Sequence, residues 1–126
     1  MNFEYGDKLI EVIKVAEEKN KEVIKELAVK FAENIENDKV IHTFGTGHSH
    51  MLGIELFARA GGLGIVDAML DPDTLTAFGA QRSGAMEKTS GVSDVIYDSY
   101  NIQPGDIMLI TSNSGRNNIT HTHSNL

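Results

Sequence analysis

Three short runs of apolar and β-branched residues, separated by segments of helical character, constrain the fold of this chain most strongly. The runs cover residues 40–44, 64–70 and 107–111. The third run is apolar at consecutive positions, as in strands of a parallel sheet that is buried on both faces. Because strands that alternate with helices are joined by right-handed crossovers, the sequence predicts an α/β fold with a doubly wound parallel sheet. Three strands are fewer than usual, so we expect one bare sheet edge.

The N-terminal part of the chain has the pattern of an amphipathic helix. Residues 7–37 contain no glycine or proline, and two apolar stripes recur there at helical spacing. The stripes consist of Leu9, Val12, Ile13 and Ala16, and of Ile24, Leu27, Ala28, Phe31 and Ile35. A pattern longer than about 25 residues is unusual in a compact domain. We therefore favour two helices with a break near Lys19 and Asn20 over one long helix.

Further helices are predicted between the strands. The first begins in the loop after the first strand and ends at Gly61 and Gly62, because paired glycines terminate helices. A second, short helix lies within residues 73–90. A third spans residues 92–100, and Ser90 is its predicted N-cap.

Composition excludes several classes of function. The chain has 126 residues, with 18 acidic residues against 11 basic ones and a net charge of -7, which disfavours binding to nucleic acid or to an anionic membrane surface. It contains no cysteine, so it forms no disulfide and no cysteine-ligated zinc site. No apolar run approaches the roughly 18 residues of a membrane span, and the acidic N-terminus is unlike a signal peptide. We therefore expect a cytoplasmic protein.

A polar loop directly follows the first predicted strand. Gly45 and Gly47, on either side of Thr46, allow positive φ and close approach of a ligand to the backbone. Ser49 stands at the start of the next helix, where free backbone N–H groups favour an anion, most commonly phosphate. The loop is not the dinucleotide-binding fingerprint, because the third glycine is absent, and the lack of lysine or arginine excludes a Walker A loop.

A second polar loop follows the third predicted strand. It supplies the hydroxyl groups of Ser112 and Ser114, then Gly115 and the amide of Asn117. Ligands of parallel sheets bind outside the carboxyl ends of the strands, so both loops can converge on one ligand. Glycine and serine are also frequent in turns without a ligand, and either loop alone favours a structural role. Two such loops after separate parallel strands favour a binding site instead.

These two loops resemble the signature segments of the SIS (sugar isomerase) domain. The resemblance rests on the strand and loop at 41–47, on Ser49, and above all on Ile-Thr-Ser-Asn-Ser-Gly at 110–115. The sequences Gly-Thr-Gly-His-Ser-His at 45–50, Leu-Phe-Ala-Arg-Ala-Gly-Gly at 56–62 and Pro-Gly-Asp at 104–106 are similar to those of uncharacterised bacterial SIS-domain proteins. The resemblance covers residues 5–117 and implies a three-layer αβα fold with a flavodoxin-like parallel sheet.

The resemblance implies that the chain binds a phosphosugar. Ser112 and Ser114 are expected to bind the phosphate with help from the backbone at Gly115, and Ser49 is expected to contribute from the first loop. Asn117 stands where the family usually has a third hydroxyl group. The expected function is phosphosugar binding; isomerisation of a sugar phosphate, non-catalytic sensing and an inactive fragment are the alternatives. A homodimer without a cofactor or a bound metal is expected.

The resemblance also divides the chain into three parts. Residues 1–38 are an N-terminal helical segment, residues 39–117 are the N-terminal part of a SIS domain, and residues 118–126 are a polar tail. The family continues with a further helix where this sequence is polar and has no helical stripe. We therefore expect the product to be truncated or frameshifted after about Asn117.

An isomerase needs a general base near the phosphate, and Glu55 and His48 are the candidates. Glu55 lies two turns into the predicted helix, but it also precedes Arg59 by four residues, the spacing of an ordinary surface ion pair. The ion-pair interpretation of Glu55 is favoured. Glu87 is a weaker candidate with no supporting context.

The remaining histidines have simpler interpretations. His48 and His50 share a two-residue spacing with His121 and His123, but two such pairs of unknown proximity are weak support for a metal site. Hydrogen bonding within the loops is favoured for them. His42 alternates with Ile41 in the first strand and is predicted to be a satisfied histidine of the sheet.

Overall fold

The computed structural model describes residues 4–116 and residue 119. The chain divides into two compact units, Met1–Glu33 and Asn34–Leu126. The first unit is formed by helix α1, which spans Tyr5–Glu36 and extends into the second unit. The second unit contains the sheet and the other helices. In the described part of the chain, no helix combines the length and the apolar character that crossing a membrane requires.

Helix α1 is continuous over 32 residues, so the predicted break near Lys19 and Asn20 is wrong. Asn20 remains in the helix because its side-chain Nδ2 donates to the Ala16 carbonyl oxygen at 2.7 Å, one turn earlier. Ion pairs at helical spacing, such as Lys30 with Glu26 at 3.0 Å, add a few tenths of a kcal/mol each. Because residues 7–37 contain no glycine or proline, nothing in the local sequence ends the helix within that range.

The sheet has three parallel strands in the order β2-β1-β3, which confirms the predicted α/β architecture. Strand β1 covers Ile41–Gly45, β2 covers Val66–Met69 and β3 covers Ile107–Thr111. All five residues of β1 are buried, as expected for a central strand. The register pairs Ile41 with both Val66 and Ile107. The carboxyl ends of the strands therefore lie side by side.

Short helices connect the strands. A 3₁₀ turn at Gly47–Ser49 leads into α2, which covers His50–Leu56, and a second 3₁₀ turn at Thr76–Phe78 precedes α3, which covers Ala80–Met86. Helix α4 covers Val92–Asp98.

Two predicted helix boundaries are wrong. Helix α2 ends at Leu56 rather than at Gly61, because Phe57 is extended and Ala58 adopts a positive φ of 49°. The N-cap of α4 is Gly91 and not the predicted Ser90. Gly91 adopts the left-handed conformation at φ 83°, which glycine tolerates, and no side chain caps the helix. In both cases the backbone changes direction at a residue that the apolar pattern does not mark.

The hydrophobic core of the second unit forms where α4 meets the sheet. Its fully buried members are Phe44, Met69, Ile96 and Ile119, and partly buried apolar side chains surround them. Ile119 belongs to the segment predicted as a polar tail and is 0% exposed. Residues 117, 118 and 120–126, which include Asn117, His121 and His123, lie outside the described residues.

The buried side chains of His42 and Asp106 and the partly exposed side chain of Asp67 connect the three strands at the end of the sheet opposite the polar loops. His42 on β1 lies with Nδ1 2.9 Å from Asp67 Oδ2 on β2 and with Nε2 3.2 Å from Asp106 Oδ2, next to β3. Burial alone raises the pKa of Asp106, but hydrogen bonds from the Val40 and Gln103 N–H groups and from His42 outweigh it, and the pKa is lowered.

Candidate functional site

The two polar loops meet in one cleft at the carboxyl ends of β1 and β3. The cleft has a volume of about 300 Å³, at the small end of the range for sites that bind small molecules. It is lined by Thr46, Gly47, His48, Ser49, Glu87, Ser112, Asn113 and Ser114. Residues from the first loop, from the second loop and from the end of α3 therefore share one concave surface.

The Thr111 side chain connects the end of β3 to the first loop. It pairs with Gly45 in the β1–β3 register, and its Oγ1 lies 2.8 Å from the Ser49 carbonyl oxygen and 3.2 Å from that of Phe44. A hydroxyl group has one proton, so the shorter contact to Ser49 is the principal hydrogen bond. The last residue of β3 is thereby bonded to the first loop.

The close approach of β1 and β3 at this point requires a glycine. A Cβ atom on Gly45 would lie 2.5 Å from Thr111 Oγ1, 2.8 Å from the Ser49 carbonyl carbon and 2.9 Å from the His50 nitrogen. Two of these three neighbours are backbone atoms, which cannot turn away as a side chain can. The sequence predicts Gly45 as a loop glycine, and the structure shows that no larger residue fits at this position.

The first loop is fixed from two sides. The Gly47 N–H donates to the Thr74 carbonyl oxygen at 2.9 Å, and the Gly47 carbonyl oxygen accepts a hydrogen bond from Nδ1 of the buried His50 ring. Gly47 has a φ of 56°, which a residue with a side chain rarely adopts. The loop backbone is therefore held in one conformation before any ligand binds.

Helix α3 is hydrogen-bonded to the same Thr74 carbonyl group. Ser83 Oγ donates to the Thr74 oxygen at 2.7 Å, and both side chains are buried. The Glu87 N–H, one turn later, donates to the Ser83 carbonyl oxygen at 3.0 Å. A Cβ atom on Gly47 would lie 3.2 Å from Glu87 Oε1, so the Glu87 carboxylate lies directly beside the first loop.

The second loop turns its serine oxygens toward its own backbone. The Gly115 N–H donates to Ser112 Oγ at 2.9 Å, and the Arg116 N–H lies 3.4 Å from Ser114 Oγ. A serine hydroxyl that accepts from an N–H group keeps its own proton for donation. Both hydroxyl protons are thus available to an acceptor in the cleft, and all these groups are exposed.

The predicted site residues are not all brought together. Ser49, His48, Ser112 and Ser114 line the cleft, together with the first-loop residues Thr46 and Gly47. Glu55 instead forms an ion pair with Arg59 and lines a separate depression with Gly61 and Gly62.

Glu87 is the residue of the cleft that sequence reasoning undervalued. It follows a seven-residue helix in a connection without clear periodicity, and neither spacing nor motif relates it to the two loops. The available signal was its residue type alone, because a carboxylate is a candidate general base. Only the hydrogen-bonded path from Gly47 through Thr74 to Ser83 reveals where it lies.

The described lining of the cleft suits an anion that is bound by neutral donors. It contains hydroxyl groups, an amide, one histidine and one carboxylate, with no lysine or arginine among these eight residues. Phosphate is commonly held by backbone N–H and hydroxyl groups in this way. Across residues 4–116 and residue 119, no group of three or more histidine, aspartate or glutamate side chains is arranged to hold a metal ion.

Comparison with known proteins gives consistent matches. The family model for the SIS domain matches residues 4–122. A UPF0309 protein of Listeria monocytogenes serotype 4b is 45% identical over 94 residues, covering 75% of this chain and 38% of that protein. A UPF0309 protein of Thermoanaerobacter pseudethanolicus is 39% identical over 122 residues, covering 93% of this chain and 48% of that protein. The chain spans less than half the length of these curated relatives.

Proposed function

The chain belongs to the SIS domain family, and from this premise we propose that it binds a phosphosugar whose phosphate group lies between the two serine-containing loops. The family supports binding of phosphosugar-related compounds at a general level. The observation that carries the proposal is that Ser49, Ser112 and Ser114 line one cleft of about 300 Å³. Activity, substrate and partners of the whole protein are part of the same proposal.

In this proposal the phosphate accepts hydrogen bonds from the hydroxyl groups of the second loop. Ser112 and Ser114 keep their hydroxyl protons while accepting from the backbone, and a phosphate oxygen can take those protons without breaking the turn. The Gly115 N–H holds Ser112 Oγ in place while that hydroxyl group donates to the phosphate. Asn117 is proposed as an additional amide donor from the same segment.

The first loop contributes to binding through the shape of its backbone and one hydroxyl group, not through a charged side chain. Thr46 and Gly47 bring the backbone of the first loop into the cleft, and Gly45 allows that loop to pack closely on Thr111 because it has no side chain. Ser49 supplies a further hydroxyl group at the edge of the cleft. The sugar then extends toward the exposed side chain of His48.

Isomerisation of the bound sugar phosphate is a second candidate function. It is favoured by one observation, the presence of the titratable side chains His48 and Glu87 in the cleft with the serines. Glu55, the other candidate base, is proposed with less support because its carboxylate is paired with Arg59 outside the cleft. Exchange of a sugar C–H proton with deuterated water separates turnover from binding alone, because only proton abstraction produces it.

Thermal unfolding with and without glucose 6-phosphate tests binding. A ligand present at a hundredfold excess over its Kd stabilises the folded state by about 2.7 kcal/mol, which is readily measured. We expect stabilisation by glucose 6-phosphate, none by glucose, and loss of the effect in the Ser112→Ala, Ser114→Ala double variant.

Ser99→Ala is the matched control. Ser99 is an exposed serine whose Oγ donates to the Val95 carbonyl oxygen at 2.7 Å, at the end of α4 and away from the cleft. This variant should respond to glucose 6-phosphate as the parent chain does. Equal stabilisation of the double variant and the parent chain would rule out the phosphate site.

A further inference from the structure

Another cavity of the second unit lies between the loop that follows β2 and the N-terminal part of α4. Its volume is about 330 Å³, within the range of sites that bind small molecules. It shares no lining residue with the cleft between the two serine-containing loops. Most of its wall is apolar, and the apolar side chains come from the end of α3 and from α4: Met86, Val92, Val95 and Ile96.

Two carboxylates line this cavity, and they differ in their partners. Asp73 forms an ion pair with Arg82, whose Nη2 lies 2.6 Å from Asp73 Oδ1. Asp71 forms no ion pair with any residue that the structure describes. The eight residues that line the cavity include no lysine or arginine. The Asp71 carboxylate is therefore a negative charge that the described part of the chain leaves without a counterion.

The loop after β2 holds the Asp71 carboxylate in place. Asp71 Oδ1 accepts a hydrogen bond from the Asp73 N–H at 2.9 Å. The Asp71 carbonyl oxygen accepts from the N–H of the buried Thr74 at 3.1 Å and from its Oγ1 at 3.0 Å. An ionised carboxylate has about four acceptor sites, so the bond from Asp73 leaves most of them open to a cationic donor.

The lining selects an occupant by charge and by polarity. A cation is attracted to Asp71, and at a partly buried carboxylate this attraction is stronger than in bulk water. The apolar wall favours a hydrocarbon body, which gains free energy when its surface leaves water. A bare metal ion does not fit, because the described residues contain no group of three or more histidine, aspartate or glutamate side chains that could hold one.

We infer that this cavity binds a small organic ammonium ion, whose charged group pairs with Asp71 and whose hydrocarbon body packs against the apolar side chains of α4. A neutral compound of the same shape competes for the apolar wall, but it gains no attraction from the charge of Asp71. A lysine side chain of a partner protein is the competing cation. Its stem is an unbranched chain of four carbons, which fills a cavity of about 330 Å³ less well than a compact ring does.

Titration of the whole chain with cyclohexylmethylamine, monitored by the NMR signals of side-chain methyl groups, tests this. We expect saturable shifts at Val92, Val95 and Ile96, which line the cavity, and none at Ile41, which is buried in β1. Cyclohexylmethanol, the neutral compound of the same shape, should bind at least about tenfold more weakly, because it lacks the charge-assisted hydrogen bond to Asp71. Cyclohexanecarboxylate, the anion, should produce no saturable shift.

Asp71→Asn removes the charge and keeps an oxygen that can accept from the Asp73 N–H. The preference for the amine over the alcohol should fall to nearly one in this variant. The Kd for the alcohol should stay unchanged, which also shows that the variant is folded. Asp98→Asn is the matched control: Asp98 is exposed at the end of α4 and does not line the cavity, so this variant should keep the tenfold preference.

Several results would overturn the ammonium site. They are equal affinity of the parent chain for the amine and the alcohol, a preference that persists in Asp71→Asn, and the absence of saturable shifts with the amine. Tighter binding of Nα-acetyl-lysine methylamide than of cyclohexylmethylamine would assign the cavity to a lysine side chain of a partner protein instead. None of these results affects the proposed phosphosugar site, because the cleft is tested separately with glucose 6-phosphate.

Discussion

At the scale of single residues, Gly45 controls whether the two loops can meet. Because a Cβ atom there would lie 2.5 Å from Thr111 Oγ1 and 2.8 Å from the Ser49 carbonyl carbon, Gly45→Ala must push β3 and the first loop apart. We expect a loss of about 2–3 kcal/mol in the free energy of unfolding, together with loss of stabilisation by glucose 6-phosphate. Urea denaturation at equilibrium, with and without that compound, measures both.

Gly84→Ala is the matched control for Gly45→Ala. Gly84 lies inside α3, and a Cβ atom there would have no described neighbour within 4 Å. Alanine is the better helix former, so this variant should gain about 0.5–1 kcal/mol. If Gly45→Ala were as stable as the parent chain, the contact between the loops would have to be looser than these distances.

The buried Thr43 and the partly buried Thr111 should respond in opposite directions to the same substitution, threonine to valine. Thr43 Oγ1 is buried and has no hydrogen-bond partner in the described part of the chain, whereas Thr111 Oγ1 bonds to the Ser49 carbonyl oxygen. Thr43→Val removes an unsatisfied polar atom and should raise the free energy of unfolding by about 1 kcal/mol. Thr111→Val should lower it by a similar amount and weaken ligand binding. Chemical denaturation of both variants measures the difference.

Thr111→Ser separates the hydroxyl group from the rest of the side chain. Because serine can make the same hydrogen bond to Ser49, this variant should retain the ligand affinity that Thr111→Val is expected to reduce. Helix α2 packs so closely on β1 that a Cβ atom on Gly53 would lie 2.5 Å from Thr43 Oγ1. A destabilised Thr43→Val variant would mean that the Thr43 hydroxyl group has a hydrogen-bond partner in solution, and it would count against this close packing.

At the scale of elements, the strands were predictable from the sequence and some helix ends were not. Residues 107–111 are apolar at consecutive positions, and β3 covers Ile107–Thr111 as expected. The end of α2 depends instead on the extended Phe57 and the positive φ of Ala58, neither of which changes the apolar pattern. The two loops of the cleft were predictable because they follow strands. Glu87 was not, because a tertiary hydrogen-bonded path brings it there.

The network of His42, Asp67 and Asp106 makes the pairing of the three strands sensitive to pH. The pKa of Asp106 is lowered in the folded state, so the folded chain binds fewer protons at this group than the unfolded chain does. Asp106 therefore stabilises the fold above its unfolded pKa, and this contribution disappears as the pH falls through its folded pKa. We expect the free energy of unfolding to decline between about pH 5 and pH 2, as measured by urea denaturation across that range.

Asp106→Asn tests whether this carboxylate is responsible. The variant should be less stable than the parent chain near neutral pH by about 2 kcal/mol, because a charged hydrogen bond to the buried His42 is lost. The difference between the two chains should then shrink as the pH falls. Asp94→Asn, at an exposed position in the first turn of α4, should not reproduce this convergence. A constant difference at all pH values would place the pH dependence in other carboxylates.

At the scale of the whole molecule, α1 is the feature that a single copy of the chain leaves unexplained. Large apolar side chains are exposed along it, including Leu9, Ile10, Val12, Ile13, Val23 and Ile24. Long helices gain most of their stability in water from packing an apolar face rather than from intrinsic propensity. Exposed apolar surface of this extent is typical of protein interfaces.

We propose that α1 pairs with α1 of a second copy, as the expected homodimer requires. Each fully buried isoleucine contributes about 1.5–3 kcal/mol to such an interface, so Ile13→Lys combined with Ile24→Lys should shift the dimer to a monomer. Sedimentation equilibrium measures the shift, and Lys14→Ala with Lys25→Ala, exposed polar positions of the same helix, should leave the dimer intact. A parent chain that is monomeric at all concentrations, with α1 still helical by circular dichroism, contradicts the pairing, because the apolar stripe would then be stable in contact with water alone.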